Sequence, residues 1–313
     1  MTKSIFVHCS TKFHRNEPFL GQRWNEAFAA FSRIGQDLGF EVYFSRAPFY
    51  NQQNKELRRA WVYDGKWKKT RNKKVDLLYF RGKNVETVPT KIQEFSERVK
   101  NLPIINNLKL ESICDDKLLT HSIFPQIMPK TFLVNSSYEV HRVLNHLPSD
   151  YIVLKPRYGS FGKGVLILHK KEFLNGVSKD MILQEFVDTS GGIFGIKRVH
   201  DFRTILINGK IDHCYLRIPK RGSLLCNSTA GGKKILIDPE ILPSRIIRRL
   251  KMIDSHFKCY GPRVYSIDMM QEPDKRLWLL EMNSKPGVYY YEGLKDIRKN
   301  FYKNIFRMLD RIE

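Results

Sequence analysis

Lys155-Pro156-Arg157-Tyr158-Gly159-Ser160-Phe161-Gly162-Lys163-Gly164-Val165 places a lysine at the end of an apolar strand, directly before a glycine-rich loop. Glycines at 159, 162 and 164 let backbone amides approach the oxygens of an anion with no side chain in the way. Lys155 sits on the strand beside them. Two familiar nucleotide motifs are absent. A Walker A loop needs glycine where Arg157 stands and serine or threonine where Gly164 stands. A dinucleotide fingerprint begins Gly-x-Gly, whereas these glycines run Gly-x-x-Gly-x-Gly. Taken alone, a plain glycine turn between two strands explains the segment equally well.

A second stretch tips the balance. Glu281-Met282-Asn283-Ser284-Lys285-Pro286-Gly287 ends another apolar strand. Alternate residues of a strand share a face, so Glu281 and Asn283 point together while Leu280 and Met282 point into packing. The turn Gln271–Arg276 folds this strand back on Val264–Met270, and register parity brings Asp268 to the same face as Glu281. Two carboxylates and an amide oxygen around one point suit magnesium, a hard cation that usually keeps substrate phosphates in its shell. Surface acids beside a turn asparagine explain any one of the three, but account poorly for all three on one face of apolar strands. A phosphate cradle and a magnesium site together predict an enzyme that consumes ATP.

The rest of the chain bounds this reading. Its 313 residues suffice for about two domains with a sizeable core. Apolar residues make up 42%, which excludes a disordered chain. The start, Met1 to Cys9, reads as a strand and not as a signal peptide. No apolar run is long enough to span a bilayer. The five cysteines, Cys9, Cys114, Cys214, Cys226 and Cys259, are scattered and odd in number, which suits reduced thiols in a cytoplasm and argues against disulfides or zinc. The formal net charge of +22 favours anionic partners without saying which. Its densest stretch runs from Lys66 to Lys74 and is read first as a solvated hairpin arm, with anion binding as the alternative.

Strands and helices alternate through the first hundred or so residues. Trp24, Phe28, Phe31, Ile34 and Leu38 recur at helical spacing up to a left-handed Gly39. Strands follow at Phe40–Ser45 and Val75–Phe80, with Asp64-Gly65 turning a hairpin between them. Ile92, Phe95 and Val99 mark a helix, and Pro103–Asn106 a strand. This is an α/β domain over 1–107 with a mainly parallel sheet. Beyond it the pattern predicts a helix over Lys109–His121, a strand at Thr131–Val134, a helix near Tyr138–Leu147, and strands at Tyr151–Lys155, Val165–His169 and Met181–Val187. Next come Asp201–Ile207 and Lys210–Ile218 turned at Asn208-Gly209, a helix near Pro239–Ser255, the hairpin Val264–Met270 with Leu277–Asn283, and an amphipathic helix carrying Ile297, Phe301, Ile305, Met308 and Ile312.

Lys155, the Gly159–Gly164 loop, Gln184-Glu185-Phe186-Val187, Asp201-Phe202-Arg203, Asn227 with Gly231-Gly232, Asp268, and Glu281-x-Asn283 with Pro286-Gly287 occur in the order found in the ATP-grasp superfamily. From about Leu108 onward the chain resembles the RimK-type glutamate ligases and the YheC/YheD spore-coat group. The resemblance implies a two-lobed α+β ATP-grasp domain after the N-terminal α/β domain, with a small lobe over 108–187 and a large lobe over 188–313. It further implies ATP and magnesium as cofactors, two ions being usual and manganese an alternative. Lys117 and Lys155 correspond to the two ATP lysines, and Gly159, Ser160, Gly162 and Gly164 to the phosphate loop. Glu185, Phe186 and Val187 match the interdomain hinge that holds adenine. Asp201 and Arg203 match the pair near ribose and phosphates, and Arg217 the strand-end arginine that faces the transferring phosphoryl group. Asp268, Glu281 and Asn283 match the magnesium ligands.

Three departures mark this chain. Leu225-Cys226 stand where RimK-type chains carry an arginine, which leaves Arg217, Lys220 or Arg221 to supply that charge. The segment between Val187 and Asp201 is longer. Lys285 replaces a small residue in the Pro-Gly turn, as either an added cation near the site or a surface lysine.

The activity so implied is a carboxylate–amine ligase. ATP phosphorylates a carboxylate, an amine attacks the acyl phosphate, and ADP and phosphate leave. Arg203 and Arg217 are the expected catalytic groups, while His200 and His213 are expected to be structural. The partners are a carboxylate acceptor and an amine donor with acidic groups among them, with no membrane and no nucleic acid. A kinase of a phosphorylated sugar or inositol is the alternative. A basic nucleic-acid module with a relic pocket ranks third, because it rests on charge alone. Thr11–Phe19, the hairpin over 61–74 and Ser190–Arg198 are open as substrate surfaces or ordinary loops.

Overall fold

The computed structural model describes residues 2–10, 12–82, 89–159, 162–173, 176–226, 232–287 and 294–312. Met1, Thr11, Ser160, Phe161, Asn227 and Gly231, all singled out above, lie outside the described residues.

The first segment comprises β1 (Lys3–His8), α1 (Gln22–Asp37), β2 (Phe40–Ser45), β3 (Tyr50–Asn51), β4 (Glu56–Leu57), β5 (Ala60–Asp64), β6 (Lys66–Thr70), β7 (Lys73–Lys74), β8 (Leu77–Phe80), α2 (Pro89–Val99) and β9 (Ile104–Ile105). Its main sheet has six strands in the order β6-β5-β2-β1-β8-β9. β2, β1, β8 and β9 run parallel, as expected, and the hairpin β5–β6 adds an antiparallel edge. β3, β4 and β7 form a small separate sheet. β1 is apolar on both faces because both are covered: Ile5 and Val7 enter one core, Phe6 another. Gly39 ends α1 with φ +81°. Gly35 is required by packing. A Cβ there would lie 2.6 Å from the Phe306 ring of the chain's last helix.

The second segment holds α3 (Leu108–Asp115), α4 (Lys117–Ile123), β10 (Thr131–Val134), α5 (Ser137–Leu144), β11 (Tyr151–Pro156), β12 (Leu166–His169) and β13 (Met181–Glu185). Its strands make an antiparallel sheet in the order β10-β13-β11-β12, packed on Val140 of α5. The single helix expected over Lys109–His121 is two. Asp116 takes an extended backbone between them, and its carboxylate accepts from the Leu118 and Leu119 N–H groups to cap α4.

The third segment holds β14 (Asp201–Ile207), β15 (Lys210–Ile218), β16 (Lys233–Ile237), α6 (Ser244–Ser255), β17 (Val264–Gln271), β18 (Leu277–Asn283) and α7 (Lys295–Asp310). The helix expected from Pro239 starts only at Ser244, after a one-turn 3₁₀ segment and Pro243. The antiparallel sheet runs β16-β15-β14-β17-β18. Phe202, Leu216, Ile267 and Leu279 turn one face toward Ile246, Leu250 and Ile253 of α6. The other face changes character along its length. Ile205, Ile207 and Val264 pack with α7 and the N-terminal sheet, whereas Asp201, Arg203, Arg217, Asp268 and Glu281 occupy the opposite end. Among the described residues no helix is long and apolar enough to cross a membrane.

Candidate functional site

The charged end of the five-stranded sheet faces the four-stranded sheet across a cleft of about 670 Å³, within the range of small-molecule sites. Lys117, Lys155, Gly159 and Gly162 line it from one lobe, with Glu185, Phe186 and Val187 at the junction. Asp201, Arg203, Arg217, Glu281 and Asn283 line it from the other. Asp268 is 1% exposed and does not itself line the cleft; it is held by Arg203 and Arg217, which do. Gly164 has φ +72°, and a Cβ there would lie 3.1 Å from the Pro156 ring. Of the described residues chosen from the sequence, all but Gly164 and Asp268 line this cleft.

The lysines differ in setting from what the sequence suggested. The Lys155 ammonium donates to Gln184 Oε1 at 2.8 Å, on the neighbouring strand β13. Burial pushes it down to about 8, with Glu281 pulling the other way. It is Lys117 that reaches the glycine loop, donating to the Gly159 carbonyl at 2.8 Å. Asp116 anchors the base of that loop. It accepts from Arg157 Nε at 2.9 Å and Nη2 at 2.6 Å, and from the Tyr158 hydroxyl at 3.2 Å. At the junction, the Lys130 N–H donates to Glu185 Oε2 at 3.2 Å.

Asp268 faces Glu281 in the β17–β18 register, as parity required. A bulge beside Asp268 leaves Leu280 as the extra residue. Leu280 therefore lines the cleft and does not pack beneath the sheet as expected. The register also places Arg203 opposite Asp268 and Arg217 opposite Asp201. Arg203 Nε donates to Asp268 Oδ1 at 2.6 Å and its Nη2 to Oδ2. Arg217 joins Asp201 and Asp268, each at 2.5 Å. Burial opposes ionisation of Asp268, but the two guanidiniums win and hold it at about 2. Burial pushes Asp201 up to about 6 against the pull of Arg217.

A divalent cation fits this donor set with help. Glu281 is partly exposed to the cleft. Asn283 Oδ1 accepts one bond, from the Lys285 N–H at 2.9 Å, and keeps a lone pair. Asp268 Oδ1 accepts from Arg203 Nε. Among the described residues no cluster of three or more His, Cys, Asp or Glu is arranged to hold a metal. A cation here depends on Asn283 and on oxygens brought by a substrate, the usual arrangement for magnesium at phosphates.

Lys285 is the added cation near the site and not a surface lysine: it lines the cleft, and its side chain is 10% exposed. Its ammonium donates to Glu111 at 2.6 Å and Asp115 at 2.7 Å, tying the end of β18 to α3. Asn106 strengthens the same junction, donating to Glu111 Oε1, the Val264 carbonyl and the Ser284 carbonyl. His200 and His213 are buried and engaged with the Arg198 carbonyl and the Asp212 carboxylate, in keeping with a structural role. Sequence reasoning missed Lys234, and Arg23 with Trp24, and gave Gln184 no role of its own; all four line the cleft. Arg23 and Trp24 come from α1 of the N-terminal sheet domain, and nothing local in their sequence marks them. Burial, with Arg203 and Arg217, pushes Lys234 down to about 8. Cys226, also at the cleft, is pushed up by burial and is no thiolate.

Residues 113–309 match the RimK-like ATP-grasp domain family. The fold is shared by a RiPP-associated ATP-grasp ligase from Chryseobacterium gregarium, solved with ADP and a leader and core peptide, at 15% identity, TM-score 0.61, and coverage of 99% of this chain and 98% of that one. D-alanine–D-alanine ligase from Bacillus anthracis is similar at 14% identity, TM-score 0.60, and 99% and 98% coverage. A D-cycloserine synthetase is similar at 13% identity, TM-score 0.63, and 97% and 99% coverage. No curated protein matches the chain significantly. Because the family match spans more than half of the sequence, the chain belongs to the RimK-like ATP-grasp family, within the ATP-grasp ligase superfamily.

Proposed function

We propose that this protein joins a carboxylate to an amine, using ATP to form an acyl phosphate and releasing ADP and phosphate. The observation that carries the reading is the meeting, in one cleft, of two lysines beside a glycine loop with two arginines and three oxygen donors from the facing sheet. Lys117 and Lys155 hold the phosphate chain, and Gly159 and Gly162, which line the cleft, leave space for it beside the backbone. Glu185, Phe186 and Val187 border the adenine at the junction of the lobes, and Asp201 approaches the ribose side. Asp268, Glu281 and Asn283 would hold magnesium, which would supply positive charge to offset that of the phosphates. Arg203 and Arg217 release Asp268 in part and turn to the phosphoryl group in transfer. The amine then attacks the acyl carbon, and its proton leaves with solvent or phosphate. No side-chain nucleophile is needed.

Residues 108–187 and 188–313 act as the two lobes of the grasp, with 1–107 contributing Arg23 and Trp24 to the acceptor end. Free thiols throughout, four of them buried, suit a reducing cytoplasm. The neighbour that binds a leader and core peptide favours a peptide carboxylate as acceptor. The test is ADP release from ATP and magnesium across amino acids, acidic peptides and phosphorylated polyols, with hydroxylamine present and products identified by mass spectrometry. An acid-dependent hydroxamate supports the ligase. A phosphorylated alcohol would replace it with a kinase.

A further inference from the structure

The reaction leaves the basic hairpin β5–β6 without a task. β6 ends the six-stranded sheet, and among the described residues no strand pairs with its outer side. Its sequence, Lys66-Trp67-Lys68-Lys69-Thr70, sets three ammonium groups on this exposed edge. The nearest acid, Asp64, is taken up by Lys68 at 2.5 Å. The hairpin is the solvated arm the sequence suggested, and aromatic packing anchors it. Trp67 packs edge-on against Phe44 and Tyr63, each at 5.3 Å, and Lys69 lies 5.3 Å above the buried Trp61 ring. The aromatic rings thus support the lysines from below. They do not stand out as platforms on which nucleobases stack.

Lysines along an edge commonly stop a sheet from pairing with its own copies. The same lysines leave the open N–H and C=O groups of β6 accessible to a strand of opposite charge. We propose that the outer edge of β6 docks an acidic, extended peptide segment as an added strand. Lys66 and Lys68 share a face about 7 Å apart, so acids at alternate positions of the added strand meet them as cross-strand pairs. A row of aromatic rings, Phe28 buried among them, links this edge to the cleft. Trp67 contacts Phe19 at 6.3 Å, Phe19 stacks on Phe28 at 4.9 Å, and Phe28 stacks on Trp24 at 6.0 Å. Trp24 lines the cleft beside Arg23, a distance that about six extended residues cover. The docked segment thereby presents a nearby carboxylate for activation. That last step rests on the ligase reading, whereas the docking does not.

Fluorescence anisotropy with a labelled peptide of about ten residues, alternating Asp and Thr, tests the docking on the full chain at low salt. The expected result is binding of this peptide but not of its Lys-Thr counterpart. Lys66→Glu with Lys68→Glu and Lys69→Glu should weaken it about tenfold or more and confer binding of the Lys-Thr peptide, with ADP affinity unchanged. The milder pair Lys66→Ser and Lys68→Ser should weaken it about threefold without altering thermal unfolding. Equal affinity in the variants, or no gain of the Lys-Thr peptide by the reversed protein, overturns the proposal. So does tighter binding of an oligothymidylate than of the acidic peptide. Docking that persists where no acid supports ADP release removes the ligase reading alone. Activity on small acids without docking removes this proposal alone.

Discussion

Replacing Lys155 with methionine separates what its charge costs from what it does. Lys155 is 4% exposed, and burial lowers it from 10.5 to about 8. At about 1.4 kcal/mol per pH unit, the charged form carries roughly 3 kcal/mol of instability in the nucleotide-free protein at neutral pH. Methionine fills a similar volume without the charge, and loss of the bond to Gln184 gives back about 1 kcal/mol. The variant should therefore be more stable by about 2 kcal/mol, raising the unfolding midpoint by about 3 °C. Between pH 8 and 10.5 the unfolded chain binds more protons at this site than the native protein. Wild-type stability thus rises with pH across that window, and its deficit against the variant closes over the same range. Nucleotide binding moves the other way. A charge-assisted bond to phosphate is worth about 1.5–3 kcal/mol, so ADP should bind the variant about tenfold to a hundredfold more weakly. Thermal unfolding across this pH range and calorimetric titration with ADP read both effects. A variant that is less stable at neutral pH and binds ADP as tightly as wild type would refute the reasoning.

Other substitutions probe the remaining contacts. Glu281→Ala should abolish ADP release in a coupled assay while leaving unfolding nearly unchanged, because this carboxylate is partly exposed. Asp268→Asn should also abolish turnover and should destabilise by about 3–5 kcal/mol, since it leaves two buried guanidiniums short of charge; denaturant melts give the figure. Asp116→Ala removes both a helix cap and the Arg157 clamp, and should cost about 2 kcal/mol and speed proteolysis in the loop after Arg157. Lys285→Met strands Glu111 and Asp115 and should cost about 3–5 kcal/mol at neutral pH. Burial raises Glu111 in the native protein. The native state of this variant gains protons as pH falls, so its deficit should shrink in acid, a trend visible in melts at stepwise lower pH.

Local signals carried much of the fold. Asn208-Gly209 between two alternating runs specified β14 and β15 to the residue, and the turn before Leu277 fixed the parity that pairs Asp268 with Glu281. Other features lay beyond any local pattern. The apolar spacing of Leu110, Ile113 and Cys114 runs on into α4, which hid the break at Asp116. Asp116 just ahead of Leu118-Leu119 was the available capping signal. β16 was overlooked because it is short and exposed, with Ile235 and Leu236 both open to solvent. The grip of Arg203 and Arg217 on Asp268 depends on β14 lying between β15 and β17, a strand order that turns do not encode. The Lys285 junction joins residues more than 150 positions apart. A single sequence shows only a lysine beside a proline.

The fate of one oxygen atom tests the acyl phosphate most directly. An acidic peptide with ¹⁸O in its side-chain carboxylates, incubated with ATP, magnesium and hydroxylamine, should yield a hydroxamate and inorganic phosphate carrying one labelled oxygen, in step with ADP. ADP formed with unlabelled phosphate, or with the phosphoryl group retained on an alcohol, would contradict it.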